Sequence, residues 1–155
     1  MRFTAQEEYG LRCMLQLARN EGKEPQTIGE IARNECITPH YVGKLMRILL
    51  KGGLVESTRG QKGGYTLTRS ADKINIAEVI AVLDRPLFDR KYCNKFTGVD
   101  MRCVHSTECS VRTLWSSLNS AVSDILVKTT LKNLVGSRGE QRFATTKNVH
   151  YFNHH

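Results

Sequence analysis

Three thiols stand close together late in the chain: Cys93, Cys103 and Cys109, spaced C-x9-C-x5-C. Thiolates are soft donors. Three of them in one irregular stretch can converge on a single zinc or iron–sulfur centre, or serve as redox-active thiols. The paired C-x2-C steps of structural zinc are absent, so spacing leaves these readings open. Within the stretch, His105 is the available fourth ligand. The chain has five cysteines, and its opening MRFTAQEEYG lacks the apolar run of an export signal. Both features argue against a disulfide framework. Cys13, among apolar neighbours in the first helix, and Cys36, in a turn, are expected to pack rather than to ligate.

A second group of residues carries charge. Lys and Arg number 23 against 15 Asp and Glu, a net charge of +8. Between His40 and Arg69, six cations (Lys44, Arg47, Lys51, Arg59, Lys62 and Arg69) meet one anion, Glu56, so over half of the surplus is concentrated there. Lys44, Arg47 and Lys51 recur at three and four residues and share one side of a helix. Arg59 and Lys62 sit in the glycine-rich loop RGQKGG, which allows close backbone approach to another surface. This layout suits double-stranded DNA: a helix enters the major groove, and flanking cations neutralise phosphates. Thr38, His40, Tyr41 and Lys44 are expected nearest the bases, with Arg47, Arg59 and Lys62 on phosphates or in the minor groove. Tyr41 has a second reading, as a side chain packed between helix and hairpin.

The elements that must position these groups follow from capping and periodicity. Thr4 with Glu7 opens a helix over about residues 4–20, and Thr27 with Glu30 opens a short one. Thr38-Pro39 starts a third, with Val42, Leu45, Met46, Leu49 and Leu50 on its apolar face, and Gly52-Gly53 ends it. The second and third helices, joined by a tight turn, form a helix-turn-helix pattern. LVEST and GYTLT flank RGQKGG as a hairpin, or wing, and Asn75 with Glu78 caps a further helix ended by Asp84-Arg85-Pro86. From Ser110 a long apolar stripe runs through Val111, Leu114, Trp115, Leu118, Val122, Ile125 and Leu126. It has little remaining domain to cover, which favours pairing with a twin copy.

The opening MRFTAQEEYGLRCMLQLA, the stretch TPHYVGKLMRILLKGGLVESTRGQKGGYTLTR, the three loop cysteines and TTLKNLV together resemble the Rrf family of bacterial regulators. The likeness covers about residues 1–135. It implies a homodimer whose subunits each hold an N-terminal winged helix and a long C-terminal dimerisation helix. It also implies an iron–sulfur cluster that governs operator binding. IscR-like members carry a histidine three positions after the last cysteine, where this chain has Arg112. NsrR-like members carry an acid in the first helix, within a context similar to Glu8-Tyr9-Gly10-Leu11-Arg12 here. By that resemblance Cys93, Cys103, Cys109 and Glu8, the last from the partner subunit, are the expected ligands. The spacing between Cys93 and Cys103 is longer than in those members, and a four-iron cluster is favoured over a two-iron one.

The expected architecture is mainly α with a small β-hairpin. It comprises a winged helix-turn-helix over 1–84, a cysteine-rich cluster loop over 85–109, a dimerisation helix and docking segment over 110–136, and a polar tail over 137–155. At 155 residues, 40% hydrophobic and 25% charged, the chain is an ordinary globular length for one core. No apolar run approaches the roughly 20 residues that cross a bilayer, so a cytoplasmic protein is expected. No glycine fingerprint, nucleophile pair or H-E-x-x-H arrangement points to an enzyme. The expected function is a DNA-binding repressor that reads a palindromic operator as a dimer and senses nitric oxide, redox state or iron through its cluster. The alternative is a cluster-free regulator sensing by cysteine oxidation or a partner protein.

Overall fold

The computed structural model describes residues 4–84 and 109–136. The capping chemistry forms as the residue types dictate. Helix α1 (Ala5–Arg19) begins at Thr4, whose hydroxyl accepts the Glu7 amide at 3.1 Å while Glu7 accepts the Thr4 amide at 2.7 Å. Helix α2 (Ile28–Glu35) repeats this capping box with Thr27 and Glu30, and α3 (Pro39–Lys51) starts from Thr38 with proline in its first turn. Each box satisfies two amides that a helix start otherwise leaves unpaired.

Strands β1 (Val55–Thr58) and β2 (Gly64–Leu67) pair antiparallel, with Val55 opposite Leu67 and Thr58 opposite Gly64. Gln26, from the segment that leads into α2, adds a third short edge: its amide donates to Tyr65 at 3.1 Å and its carbonyl accepts the Tyr65 amide at 2.8 Å. Gly64 makes this possible, since a Cβ there would lie 2.7 Å from the Gln26 carbonyl. The stretch before α2, which reads as plain loop in the sequence, is thereby tied to the wing. A single 3-10 turn (Ala71–Lys73) then leads to α4 (Ile76–Leu83), capped by Asn75, which accepts the Glu78 amide at 2.9 Å.

One core joins these elements. Met14 and Leu17 of α1, Ile31 of α2, Val42, Leu45, Met46 and Leu49 of α3, Leu54 and Val55 of the wing, and Ile74, Val79 and Leu83 are all buried in it. Leu50, expected on the apolar face of α3, is exposed instead, because it falls at the edge of that stripe.

Helix α5 (Ser110–Lys128) and the short α6 (Leu131–Val135) complete the described chain. The chain returns to the core after α5: the Ile76 amide donates to Thr129 at 2.8 Å and the Leu131 amide to Ile74 at 3.0 Å. Leu131 is fully buried there, packing α6 against α1. Burying a leucine contributes roughly 2 kcal/mol. Among the described residues no helix is long and apolar enough to cross a membrane.

Candidate functional site

The buried face of α3 leaves its opposite face to solvent. His40, Lys44, Arg47 and Lys51, at helical spacing, are all exposed there, with Thr38 exposed at the helix start. The Thr38 hydroxyl accepts the Tyr41 amide at 3.3 Å, which spends one of its lone pairs on the cap. Tyr41 is half-buried. Its ring lies against Tyr9 of α1, and the Lys44 ammonium stands 5.9 Å from its centroid. The result is a cationic row on one helix with an apolar brace behind it.

Arg59 and Lys62 are exposed in the wing loop. Gly60 there has φ +115, a backbone conformation that side chains rarely adopt, and Gly63 donates to its carbonyl at 3.0 Å. Lys62 pairs with Glu24 at 3.3 Å, but both side chains are largely in water, where such pairs contribute little and exchange readily for a phosphate.

Behind the cationic row lies a polar clamp that sequence reasoning missed. Glu35, the last residue of α2, is 8% exposed. The Arg12 Nε donates to its Oε2 at 2.7 Å, the Arg12 Nη2 reaches its backbone carbonyl at 3.4 Å, and the Gln16 amide donates to its Oε1. The guanidinium also stands 5.4 Å from the centroid of Tyr9. The hydrogen bond to Glu35 holds the Arg12 pKa above its ordinary value, with further coulombic support from Glu35 and Glu8. One signal was available in the sequence: a glutamate in the last turn of a helix opposes the local dipole and calls for a cation.

Of the expected metal ligands, Cys93, Cys103 and the alternative His105 lie outside the described residues. Cys109 is half-buried at the head of α5, where its sulfur accepts the Arg112 amide at 3.4 Å. Amide hydrogen bonds of this kind are also what tune sulfurs bound to iron. Glu8 is exposed on the first turn of α1, with no ion pair among the described residues, whereas its neighbour Glu7 is buried and committed to the cap. Among the described residues no cluster of three ligating side chains forms within the chain. A donor set of three loop thiolates plus a carboxylate from a second subunit is compatible with both placements.

The two remaining cysteines behave differently from one another. Cys13 is fully buried, and burial pushes its thiol up to about 12, so it stays protonated and packs as expected. Cys36 departs from expectation. It takes φ +55 at the end of α2, a left-handed turn that directs its side chain to solvent while Ile37 packs inward.

Helix α5 carries one broad apolar stripe, part of it covered and part of it open. Trp115, Val122 and Leu126 are half-buried on the side that packs against α4 and the core. Val111, Leu114, Leu118 and Ile125 lie beside them along the adjoining flank of the same stripe and are 43–59% exposed.

Comparison with known proteins agrees with this geometry. Residues 3–137 match the family Rrf2, an iron-dependent transcriptional regulator. The chain is 32% identical to the HTH-type transcriptional regulator CymR of Bacillus subtilis over 142 residues, 91% of this chain and 95% of CymR. It is 33% identical to the HTH-type transcriptional regulator IscR of Pectobacterium carotovorum over 138 residues, 89% of this chain and 81% of IscR. The solved structure of B. subtilis CymR, described as the global cysteine regulator, superposes with a TM-score of 0.73 at 31% identity, covering 88% of this chain and 97% of CymR. These are DNA-binding regulators and not enzymes, and the winged helix described above is their fold. The chain belongs to the Rrf2 family of transcriptional regulators.

Proposed function

We propose that the protein is a homodimeric repressor whose grip on a palindromic operator in the cytoplasm is set by an iron–sulfur cluster. Thr38, His40, Tyr41 and Lys44 read base edges, while Arg47, Arg59 and Lys62 neutralise phosphates. The observation that carries the DNA-facing half is the exposed cationic row of α3 standing beside a basic wing. Two such heads related by a two-fold axis read half-sites one helical turn, about 34 Å, or a multiple apart.

The outward face of α5 supports the dimer. Val111, Leu114, Leu118, Ala121 and Ile125 recur at alternating three- and four-residue steps, the spacing of a helix seam that pairs with a copy of itself. A second α5 fits this face by that spacing.

Cys93, Cys103 and Cys109 would hold the cluster, with Glu8 of the neighbouring subunit as the oxygen ligand. Bound in this way, a cluster supplies one weakly held iron corner that nitric oxide, oxygen or iron scarcity can open, since carboxylate binds iron less firmly than thiolate. Glu8 belongs to the first turn of α1, whose Tyr9 rests on Tyr41 of α3. Holding or releasing Glu8 therefore biases two arrangements of the reading head, the form a switch requires.

The likeness to CymR favours a second reading, in which no cluster is held and cysteine oxidation or a partner protein supplies the signal. Anaerobic purification separates the two. A brown protein with stoichiometric iron and sulfide, lost on joint Cys93→Ser, Cys103→Ser and Cys109→Ser substitution, supports the cluster. A colourless preparation that binds its DNA identically after the triple substitution overturns it.

A further inference from the structure

We infer that α1 is the positioning element of the reading head: Arg12, braced by Tyr9 and Gln16, grips Glu35 and so fixes the angle at which α3 leaves the helix-turn-helix. The inference rests on α3 being the surface that meets DNA, and it concerns how that surface is aimed, whatever signal acts on it.

Glu35 is an awkward residue to bury. Its carboxylate lies at the carbonyl end of α2, where the helix dipole disfavours negative charge, and it is almost wholly out of water. The charge is tolerated because α1 satisfies it from two sides: Arg12 holds Oε2 and Gln16 holds Oε1. Arg12 also reaches the backbone carbonyl of Glu35, so the grip extends to the chain itself. Removing one partner from such a group leaves an uncompensated buried charge that forces local movement.

The chain that follows Glu35 carries such a movement toward α3. Cys36 is locked in the left-handed conformation, and the Ile37 amide closes the end of α2 by donating to Ala32 at 3.0 Å. Thr38 follows at once as the cap of α3. A shift at Glu35 is therefore passed through Cys36 and Ile37 to Thr38 and His40.

A second contact braces the same helix. Tyr9 stands between the Arg12 guanidinium, 5.4 Å from its centroid, and the Tyr41 ring at 5.9 Å, beyond which lies Lys44. Tyr9, Arg12 and Gln16 share one face of α1, spaced by three and four residues. One face of one helix thus holds both the turn and the first half of α3.

Base edges are read only when side chains sit within a fraction of an ångström of their partners, whereas phosphates attract cations from a range of positions. Loosening the clamp should therefore erode sequence discrimination and spare non-specific binding. The test uses the full chain purified without oxygen and two duplexes: one enriched by the unaltered protein from a random-sequence library, and a shuffled duplex of the same composition. For Glu35→Gln, affinity for the enriched duplex is expected to fall about tenfold, with shuffled-duplex affinity and salt dependence unchanged. Arg12→Lys keeps a cation at a partly exposed position but loses the fork to the carbonyl, and is expected to give a smaller loss of the same kind. Should Glu35→Gln fail to fold by circular dichroism, Arg12→Lys decides alone.

Equal losses on both duplexes, or an unchanged ratio in Arg12→Lys, would overturn the inference. Arg47→Ala, which removes a phosphate contact of α3, is the control for the surface itself and should weaken both duplexes. If it weakens neither, α3 is not the contact face, a failure recognisably different from a clamp that does not matter.

Discussion

Tyr9 of α1 meets Tyr41 of α3 edge to face, with ring centroids 5.9 Å apart and ring planes at 88°. The positive edge of one ring addresses the negative face of the other, an arrangement worth about 0.5–1.5 kcal/mol beyond simple burial. Since α1 and α3 are otherwise joined by apolar contacts, this pair adds orientation to their adhesion. A double-mutant cycle with Tyr9→Leu and Tyr41→Leu, read by urea unfolding, should return a coupling energy in that range. A coupling of zero would mean that the rings are merely adjacent.

The cationic row sets the salt dependence of DNA binding. Arg47→Ala and Arg59→Ala should each weaken binding on every duplex and flatten the log–log salt slope by about 0.9. Lys62 begins in an ion pair with Glu24, so Lys62→Ala should flatten the slope less, and Glu24→Gln should raise affinity modestly. Titrations at several salt concentrations measure all four.

The outward face of α5 should decide the oligomeric state. Leu118→Glu puts a charge in the middle of the seam, and sedimentation velocity is expected to show monomers that retain native circular dichroism. Asp124→Asn, on the exposed surface of α5 and outside the seam series, should leave the assembly intact. A variant Leu118→Glu that sediments like the parent would exclude α5 as the pairing face.

Gly64 is held to its identity by the Gln26 backbone, which a Cβ would meet at 2.7 Å. Backbone cannot swing aside as a side-chain tip can. Gly64→Ala should therefore break the Gln26–Tyr65 bridge and lower unfolding free energy by roughly 1–3 kcal/mol. Thermal unfolding measures the loss, and amide exchange at Tyr65 reports whether the bridge has opened.

Cys13 gives the fold a dependence on high pH. Burial, followed by the nearby Glu35 charge, raises its thiol from an ordinary 9.0 to about 12. The folded state thus binds this proton more tightly than the unfolded chain does. The stabilisation is complete below about pH 9 and drains away as the pH rises toward 12, with a limiting slope of about 1.4 kcal/mol per pH unit. Cys13→Ala should unfold more easily at neutral pH but with a visibly flatter decline above pH 9. Parallel declines in the two proteins would remove Cys13 as the source.

Much of this architecture was legible because its rules are local. The pairs Thr4 with Glu7, Thr27 with Glu30 and Asn75 with Glu78 span three residues each, and Thr38-Pro39 marks a helix start by itself. The basic character of α3 and of the wing could be counted directly. What stayed hidden depends on residues far apart in the chain. Arg12 and Glu35 meet only because α1 crosses the end of α2, and Gln26 joins the wing only because Gly64 admits it. The stripe on α5 read as one surface because periodicity alone does not divide an apolar helix between two neighbours. Cys36 looked like a packing residue until its backbone angle turned it outward. Among the candidate ligands, the three cysteines and Glu8 were suggested by type, spacing and likeness, and those signals say nothing of where they converge.

Helix α5 is tied to the core by backbone hydrogen bonds at its C-terminal end, and Trp115, nearer its start, is half-buried. Thr129 and Leu131 are sewn to Ile76 and Ile74, while Cys109 sits at the other end, about 28 Å away at 1.5 Å per residue. A rod held in this way carries a push at its tip back to α4 and α6. Whatever grips the sulfur of Cys109 therefore works on the body of the protein through the length of this helix.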